Sequence, residues 1–449
     1  MMHPPVTPLR IGSGAGYSGD RIPPAADLAR RGRLHWLVFE CLAERTIALA
    51  QLEKQNHPDL GYDPLLRERI RAVLPDCMGQ GVRILTNMGA ANPMAAGYAA
   101  LAEAQALGLR PKVAVLTGDD VLATLLQRQP DLKLTDRPMS LSELGSRLVS
   151  ANAYLGAEHL LPAIATGAEV IITGRVADPA LFLAPVWQHF GWSPNDWDRL
   201  GQGVVLGHLL ECAAQVSGGY FADPGFKDVP DLAHLGFPLA EVQADGSAII
   251  TKLPDTGGCV TLATCTEQLL YELENPRRYL QPDVVADFSA VALEQVGPNR
   301  VRVSQGRGEP RPDELKVTVG YRDGYIADGQ ISYAGLGAVA RGQLALDVVR
   351  VRLAEAGLGH LEARYDLIGC NAILAGASIP QEAPEVRVRV SARCDTPEQA
   401  RQVTREVEAL YLNGPAGGGG ATQSVREVIA ADAVMIPRDW VQTRVEVLS

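Results

Sequence analysis

From residue 9 onward the chain alternates short apolar runs with longer segments whose apolar positions recur at helical spacing. Strands are expected at 9–11, 34–39, 82–86, 112–117 and 168–173, and helices at 43–54, 93–107 and 156–167. Strands and helices taking turns in this way predict an α/β fold, with a mainly parallel sheet flanked by helices in the N-terminal half. Ligands bind such sheets at the carboxyl ends of the strands. Polar residues collect there: Asp20, Asn87, Asp119, Arg175 and Asp178 each follow an expected strand.

The pattern changes after residue 200. A helix is expected at 204–215, then a hairpin at 241–252 across Asp245-Gly246, then a helix at 266–274. Residues 283–335 read as β-rich, and a helix follows at 338–356. Further on come an alternating strand at 385–390, a helix at 397–412, a glycine-rich loop at 413–420, a helical stretch at 422–430 and a strand at 434–436. The expected division is a parallel α/β domain with a strand-end site (1–200), a mixed α+β region with hairpins (201–363) and a C-terminal α+β unit with a glycine-rich loop (364–449).

A length of 449 residues exceeds what one core usually holds, and 47% hydrophobic with 21% charged residues fits a soluble globular protein. The net charge of −11 argues against binding nucleic acid or an anionic membrane surface. No apolar stretch is long enough for a membrane span. Residues 1–5 have neither the charged nor the apolar region of a signal peptide. Seven cysteines are scattered without a C-x-x-C pair, so a reduced, cytoplasmic protein is expected.

Within that frame four stretches carry candidate chemistry. Gly14-Ala15-Gly16-Tyr17-Ser18-Gly19 spells G-x-G-x-x-G, and Glu40 closes the next strand where a ribose-binding acid would sit. Pro23 and Pro24 delay the helix, however, and Asp20 would repel a pyrophosphate, so NAD is disfavoured. The loop is open to two other readings, a tight turn or an active-site loop presenting Asp20 and Arg21. His208 and Glu211 share a helix face at i, i+3. They are an acid–base pair, two ligands of a divalent metal completed by Asp178, or a polar stripe. Lys252 before Gly257-Gly258 either holds a carboxylate or phosphate or is a turn lysine. Asn413 with Gly417, Gly418 and Gly419 either cradles an anion through its N–H groups or links two elements. Asp20, Asp119 and Asp178 are then the candidate acid–base carboxylates. Arg21, Arg175 and Lys252 are the candidate anion holders, with Asn87 beside them.

Several motifs carry a family likeness. They include Gly19-Asp20, Leu42-Ala43-Glu44, Thr86-Asn87, Gly118-Asp119-Asp120, Asn152-Ala153-Tyr154-Leu155-Gly156 and Thr173-Gly174-Arg175 with Asp178. They continue through Gly207-His208-Leu209-Leu210-Glu211-Cys212, Gly218-Gly219-Tyr220-Phe221 and Asn413-Gly414-Pro415-Ala416-Gly417. In these the chain resembles the acyclic terpene utilisation family over nearly its whole length. Longer members continue into a small ferredoxin-like domain, and this chain stops at Ser449. The resemblance therefore implies a separate small ferredoxin-fold subunit as a partner. It also implies a setting of acyl-CoA or carboxylate catabolism. The expectation is a cytoplasmic, homo-oligomeric catabolic enzyme that hydrates or dehydrates a small carboxylate or a CoA thioester. The alternatives are a half-site subunit that needs its partner, and an NAD-linked oxidoreductase.

Overall fold

Apolar runs without a polar break bury both faces of a strand, and those nearest the N-terminus form the centre of a ten-stranded sheet. The computed structural model describes residues 8–374 and 378–449, so residues 1–5, read above for a signal peptide, lie outside it. In chain order the first strands are β1 (Leu9–Ala15), β2 (Trp36–Phe39), β3 (Arg83–Thr86), β4 (Val113–Thr117), β5 (Leu148–Ala153), β6 (Val170–Thr173), β7 (Pro238–Val242) and β8 (Ala248–Lys252). Then come β9 (Tyr279–Leu280), β10 (Val285–Asp287), β11 (Ala292–Gly297), β12 (Arg300–Ser304) and β13 (Arg307–Glu309). The last are β14 (Glu314–Ala334), β15 (Ala363–Ile368), β16 (Glu385–Cys394), β17 (Gly419–Pro437) and β18 (Arg444–Leu448).

The large sheet runs in the order β11-β12-β8-β7-β1-β2-β3-β6-β4-β18. Its central strands β1, β2, β3, β6 and β4 are parallel. β7, β8, β12 and β11 extend one side antiparallel, and β18 closes the other side antiparallel to β4. The sheet is thus mixed, where a mainly parallel one was expected. The cause is local: the short links between β7 and β8 and between β11 and β12 allow only hairpins, since a parallel crossover needs a dozen residues or more.

Two compact units result, one made of the described residues up to Gly320 together with Ala431–Ser449, the other of Tyr321–Ala430. Their boundaries fall inside β14 and β17. In the second unit the sheet order is β15-β16-β14-β17. The helices Ala338–Glu355 and Pro397–Glu408 bury Leu346, Val349, Val403 and Val407 with Val386, Val388 and Val390 of β16. The stretch 422–430, expected to be helical, belongs to β17 instead. Farther along that strand Asp432, Val434 and Ile436 are buried at alternate positions, a strand's period. Besides the short helices Leu122–Arg128 and Leu141–Leu144, two longer ones escape the sequence pattern, Leu66–Gln80 and Ala180–Phe190; each of these contains an internal proline, Pro75 and Pro185. Among the described residues no helix is long and apolar enough to cross a membrane.

The first unit's core places Leu28, Phe39, Ile70 and Val73 with Ile84, Val113 and Ile172. One fully buried cation stands at its edge. Arg69 pairs with Asp63 at 3.0 Å and donates to the carbonyl of Ser18 at 2.7 Å, fixing the turn after β1. Removing one partner of such a pair leaves a buried charge without compensation. Arg69→Met is expected to lower unfolding free energy by about 3–5 kcal/mol in urea titration; a loss below ~1 kcal/mol would contradict this role.

Candidate functional site

The parallel strands end along one edge, and each delivers a polar residue there. β2 runs into Glu40, β3 into Asn87, β4 toward Asp119, and β6 into Arg175 and Asp178. Asn87 Nδ2 donates to Glu40 Oε1 at 2.8 Å while its Oδ1 accepts from the Cys41 N–H at 2.7 Å. Burial pushes the Glu40 carboxyl well above its ordinary value; Asp178 adds to this and Arg175 opposes it. Asp119 accepts from the Arg175 N–H and from Asn152 Nδ2, both at 2.9 Å. Burial raises its pKa to about 6. Gly174 makes this approach possible, since a Cβ there would lie 2.5 Å from Asp119 Oδ1.

Arg175 is the hub of this edge. Its guanidinium donates to the Leu42 carbonyl, pairs with Asp178 at 3.1 Å and lies 4.1 Å over the Tyr154 ring. Its Nε is buried with no hydrogen-bond partner among the described residues. Tyr154 follows β5, and its N–H donates to the Lys316 carbonyl at 2.9 Å, which brings Lys316 alongside. Lys316 Nζ and the Tyr154 hydroxyl both donate to Glu44 Oε1 at 2.7 Å. With Asp178, Glu272 and Tyr279 these residues line a cavity of about 410 Å3. Asp178 is half-buried in its wall; burial raises its pKa, and Arg175 pulls the other way.

Behind that wall runs the helix Trp197–Glu211. It packs so tightly on the turn after β6 that a Cβ at Gly207 would sit 2.6 Å from the Pro179 carbonyl oxygen. The next residue, His208, is buried, and its Nδ1 lies 2.9 Å from Glu211 Oε1. Burial pushes Glu211 up to about 7, against the pull of His208 and with help from Asp178 and Glu272. Burial disfavours a charged His208, but Glu211 together with the backbone of Gln268 and Leu269 raises the imidazole above its ordinary value. The rings of Tyr279 and Phe288 stand edge-on to His208, with centroids at 5.7 and 5.5 Å. His208 and Glu211 face each other, and among the described residues no three His, Cys, Asp or Glu side chains gather to hold a metal ion.

The other expected site residues have different surroundings. The glycine stretch after Ile11 is half strand: β1 continues through Gly12 and Gly14 to Ala15. A Cβ at Gly14 would lie 2.6 Å from the Phe39 ring, and one at Gly16 would lie 2.5 Å from the Cys212 carbonyl carbon. Asp20 turns inward to accept from the N–H groups of Gly16 and Arg21 at 2.9 and 2.8 Å. It closes its own turn, while Arg21 donates to the Ala233 carbonyl at 2.9 Å. Lys252 is buried and donates to the Thr256 carbonyl at 2.6 Å. The N–H groups of Gly257 and Gly258 go to the carbonyls of His234 and Pro230 at 2.8 and 2.7 Å. These N–H groups are spent on the segment 230–234 ahead of β7 and are not free to hold an anion. Asn413, Gly417, Gly418 and Gly419 belong to the second unit, where Arg341 donates to the Ala416 carbonyl and Gly418 packs on Ile331 and Tyr333. Sequence reasoning passed over Glu44, Tyr154, Glu272, Tyr279 and Lys316 as site residues. The Leu42-Ala43-Glu44 and Asn152-Ala153-Tyr154 motifs signal two of them, and Glu272 closes the family-like run Glu267-Gln268-Leu269-Leu270-Tyr271-Glu272; Tyr279 and Lys316 come from segments with no motif.

Fold and site define an α/β protein with a polar, partly buried cavity at the carboxyl edge of its parallel strands. The chain belongs to the acyclic terpene utilisation family, matching the description "Acyclic terpene utilisation family protein AtuA" over residues 9–447. No curated protein and no solved structure matches it.

Asp119 offers a direct check on these buried charges. Its pKa of about 6 in the fold exceeds the ordinary 3.8. Between those values the folded protein keeps a proton that the unfolded chain has lost. The resulting stability is complete below the lower value and is lost as pH rises through the upper one. Asp119→Asn retains an oxygen for both N–H donors and removes the titration. From pH 4 to 7 the wild type is expected to lose on the order of 3 kcal/mol relative to this variant in denaturant titrations. Parallel pH profiles would contradict the assignment.

Proposed function

We propose that this protein is an acid–base catalyst of lyase type, hydrating or dehydrating a small carboxylate or acyl-CoA thioester in a catabolic route. The observation that carries this reading is Asp178 paired with Arg175 in the wall of a strand-end cavity. A cavity of about 410 Å3 suits a small acid or the acyl end of a thioester. Arg175 has a spare buried N–H at Nε, and Lys316 stands beside it over the same Tyr154 ring. These donors hold a substrate carboxylate or thioester oxygen and stabilise negative charge that develops on it. Asp178, its pKa raised by burial, keeps a proton closer to neutrality than a free aspartate does. It gives that proton to the leaving hydroxyl, or takes one from water in the reverse direction. Membership of the acyclic terpene utilisation family supports the catabolic setting.

A panel of simple compounds tests this without the natural substrate in hand. Short hydroxy acids, unsaturated acids and their CoA thioesters are incubated with the protein in D2O, and deuterium entering carbon positions is followed by NMR. The wild type is expected to exchange at least one of them. Asp178→Asn is expected to slow that exchange by about 10²–10⁴-fold. A wild type inert toward the whole panel, or an Asp178→Asn protein at full rate, would remove the reading.

A further inference from the structure

A lyase needs a base as well as an acid, and two carboxylates of the cavity wall already have other tasks. Glu44 is tied to Lys316 and Tyr154, and Asp178 is assigned to the leaving group. Resting on the lyase reading, we propose that His208, oriented by Glu211, is the general base of the same site and that the Tyr279 ring is the gate between them.

His208 is 1% exposed, yet its Nε2 has no hydrogen-bond partner among the described residues, and neither has Glu211 Oε2. Unsatisfied buried polar atoms destabilise a fold, so a pair kept only for structure would be expected to find partners. The imidazole meets Glu211 through Nδ1, which leaves Nε2 as the ring nitrogen without a hydrogen bond among the described residues. One aromatic ring borders both this imidazole and the substrate space. Tyr279 meets His208 edge-on and at the same time lines the cavity. It sits on β9, a two-residue strand that pairs only with β10 in the small sheet β13-β10-β9. The close packing of Gly207 on Pro179 holds the pair directly behind Asp178. The groups acting on the imidazole are Glu211 on its own helix and the backbone of Gln268 and Leu269 in the helix Leu262–Leu270; Asp178 and Glu272 act on Glu211.

With Tyr279 turned aside, Nε2 takes a proton from the carbon next to the substrate carbonyl. The C–H bond breaks and an N–H bond forms. The electron pair becomes the new C=C bond as the C–O bond to the hydroxyl breaks, and the Asp178 proton joins that oxygen to release water. Imidazolium and carboxylate remain, and proton transfer from one to the other through solvent restores both.

Carbethoxylation by diethyl pyrocarbonate, mapped by mass spectrometry, tests the gate without any activity. The exposed His234 serves as the internal standard. His208 is expected to react at least tenfold faster in Tyr279→Ala than in the wild type, with His234 unchanged; Tyr279→Leu serves if the alanine variant does not fold. Equal rates at His208 would overturn the gate. Deuterium exchange tests the base. His208→Gln is expected to abolish exchange with its urea midpoint kept, and Glu211→Gln to shift the pH profile of exchange downward. Wild-type exchange in His208→Gln would overturn the base. A wild type that exchanges nothing sinks the lyase reading and the base with it, while the carbethoxylation rates still decide the gate.

Discussion

The guanidinium of Arg175 ties together segments that are far apart in sequence. It reaches the Leu42 carbonyl beyond β2, stacks on Tyr154 beyond β5 and pairs with Asp178 in the turn after its own strand. Through its backbone N–H it also binds Asp119 beyond β4. A permanent positive charge, almost fully buried, is stable only where carboxylates and carbonyls converge on it. That requirement accounts for the acidic surroundings. Asp178 counters the charge directly, and Glu40 and Glu44 act on it from nearby. Small residues permit the convergence: Gly174 lets Asp119 approach, and Gly207 lets the helix carrying His208 close on Pro179.

The same crowding has a chemical consequence. Carboxylates held close together away from water resist ionising, so burial raises Glu40, Asp119, Asp178 and Glu211 together. Such groups hold their protons to higher pH than free carboxyls do. A purely structural cluster gains nothing from this, because every raised carboxyl lowers stability above its ordinary pKa. The cost is understandable where protons are moved, and environments that push titratable groups apart are a mark of acid–base sites.

Much of this edge was legible in the sequence. Apolar runs ending in Asn87, Asp119, Arg175 and Asp178 placed those residues correctly at strand ends, because a buried parallel strand is a strong local pattern. His208 and Glu211 were found by helical spacing alone. The glycine loops misled for a physical reason: glycine spelling does not distinguish N–H groups free for a ligand from backbone that must pack closely. Gly14 and Gly16 do the second, against Phe39 and Cys212. Tyr279 and Lys316 could not be foreseen, since they reach the cavity from β9 and β14 only through tertiary pairing. The mixed character of the sheet was hidden likewise, because sequence shows a hairpin but not which edge it joins.

The most direct measurement of the central claim is a carbon-13 NMR titration of the carboxyl groups of the folded protein, with Asp119→Asn and Glu211→Gln to assign the signals. The account predicts a midpoint at about 6 for Asp119 and at about 7 for Glu211, each lost in its variant. Midpoints for both residues at the ordinary values near 4 would show that burial does not hold protons at this edge, and the acid–base account would fail.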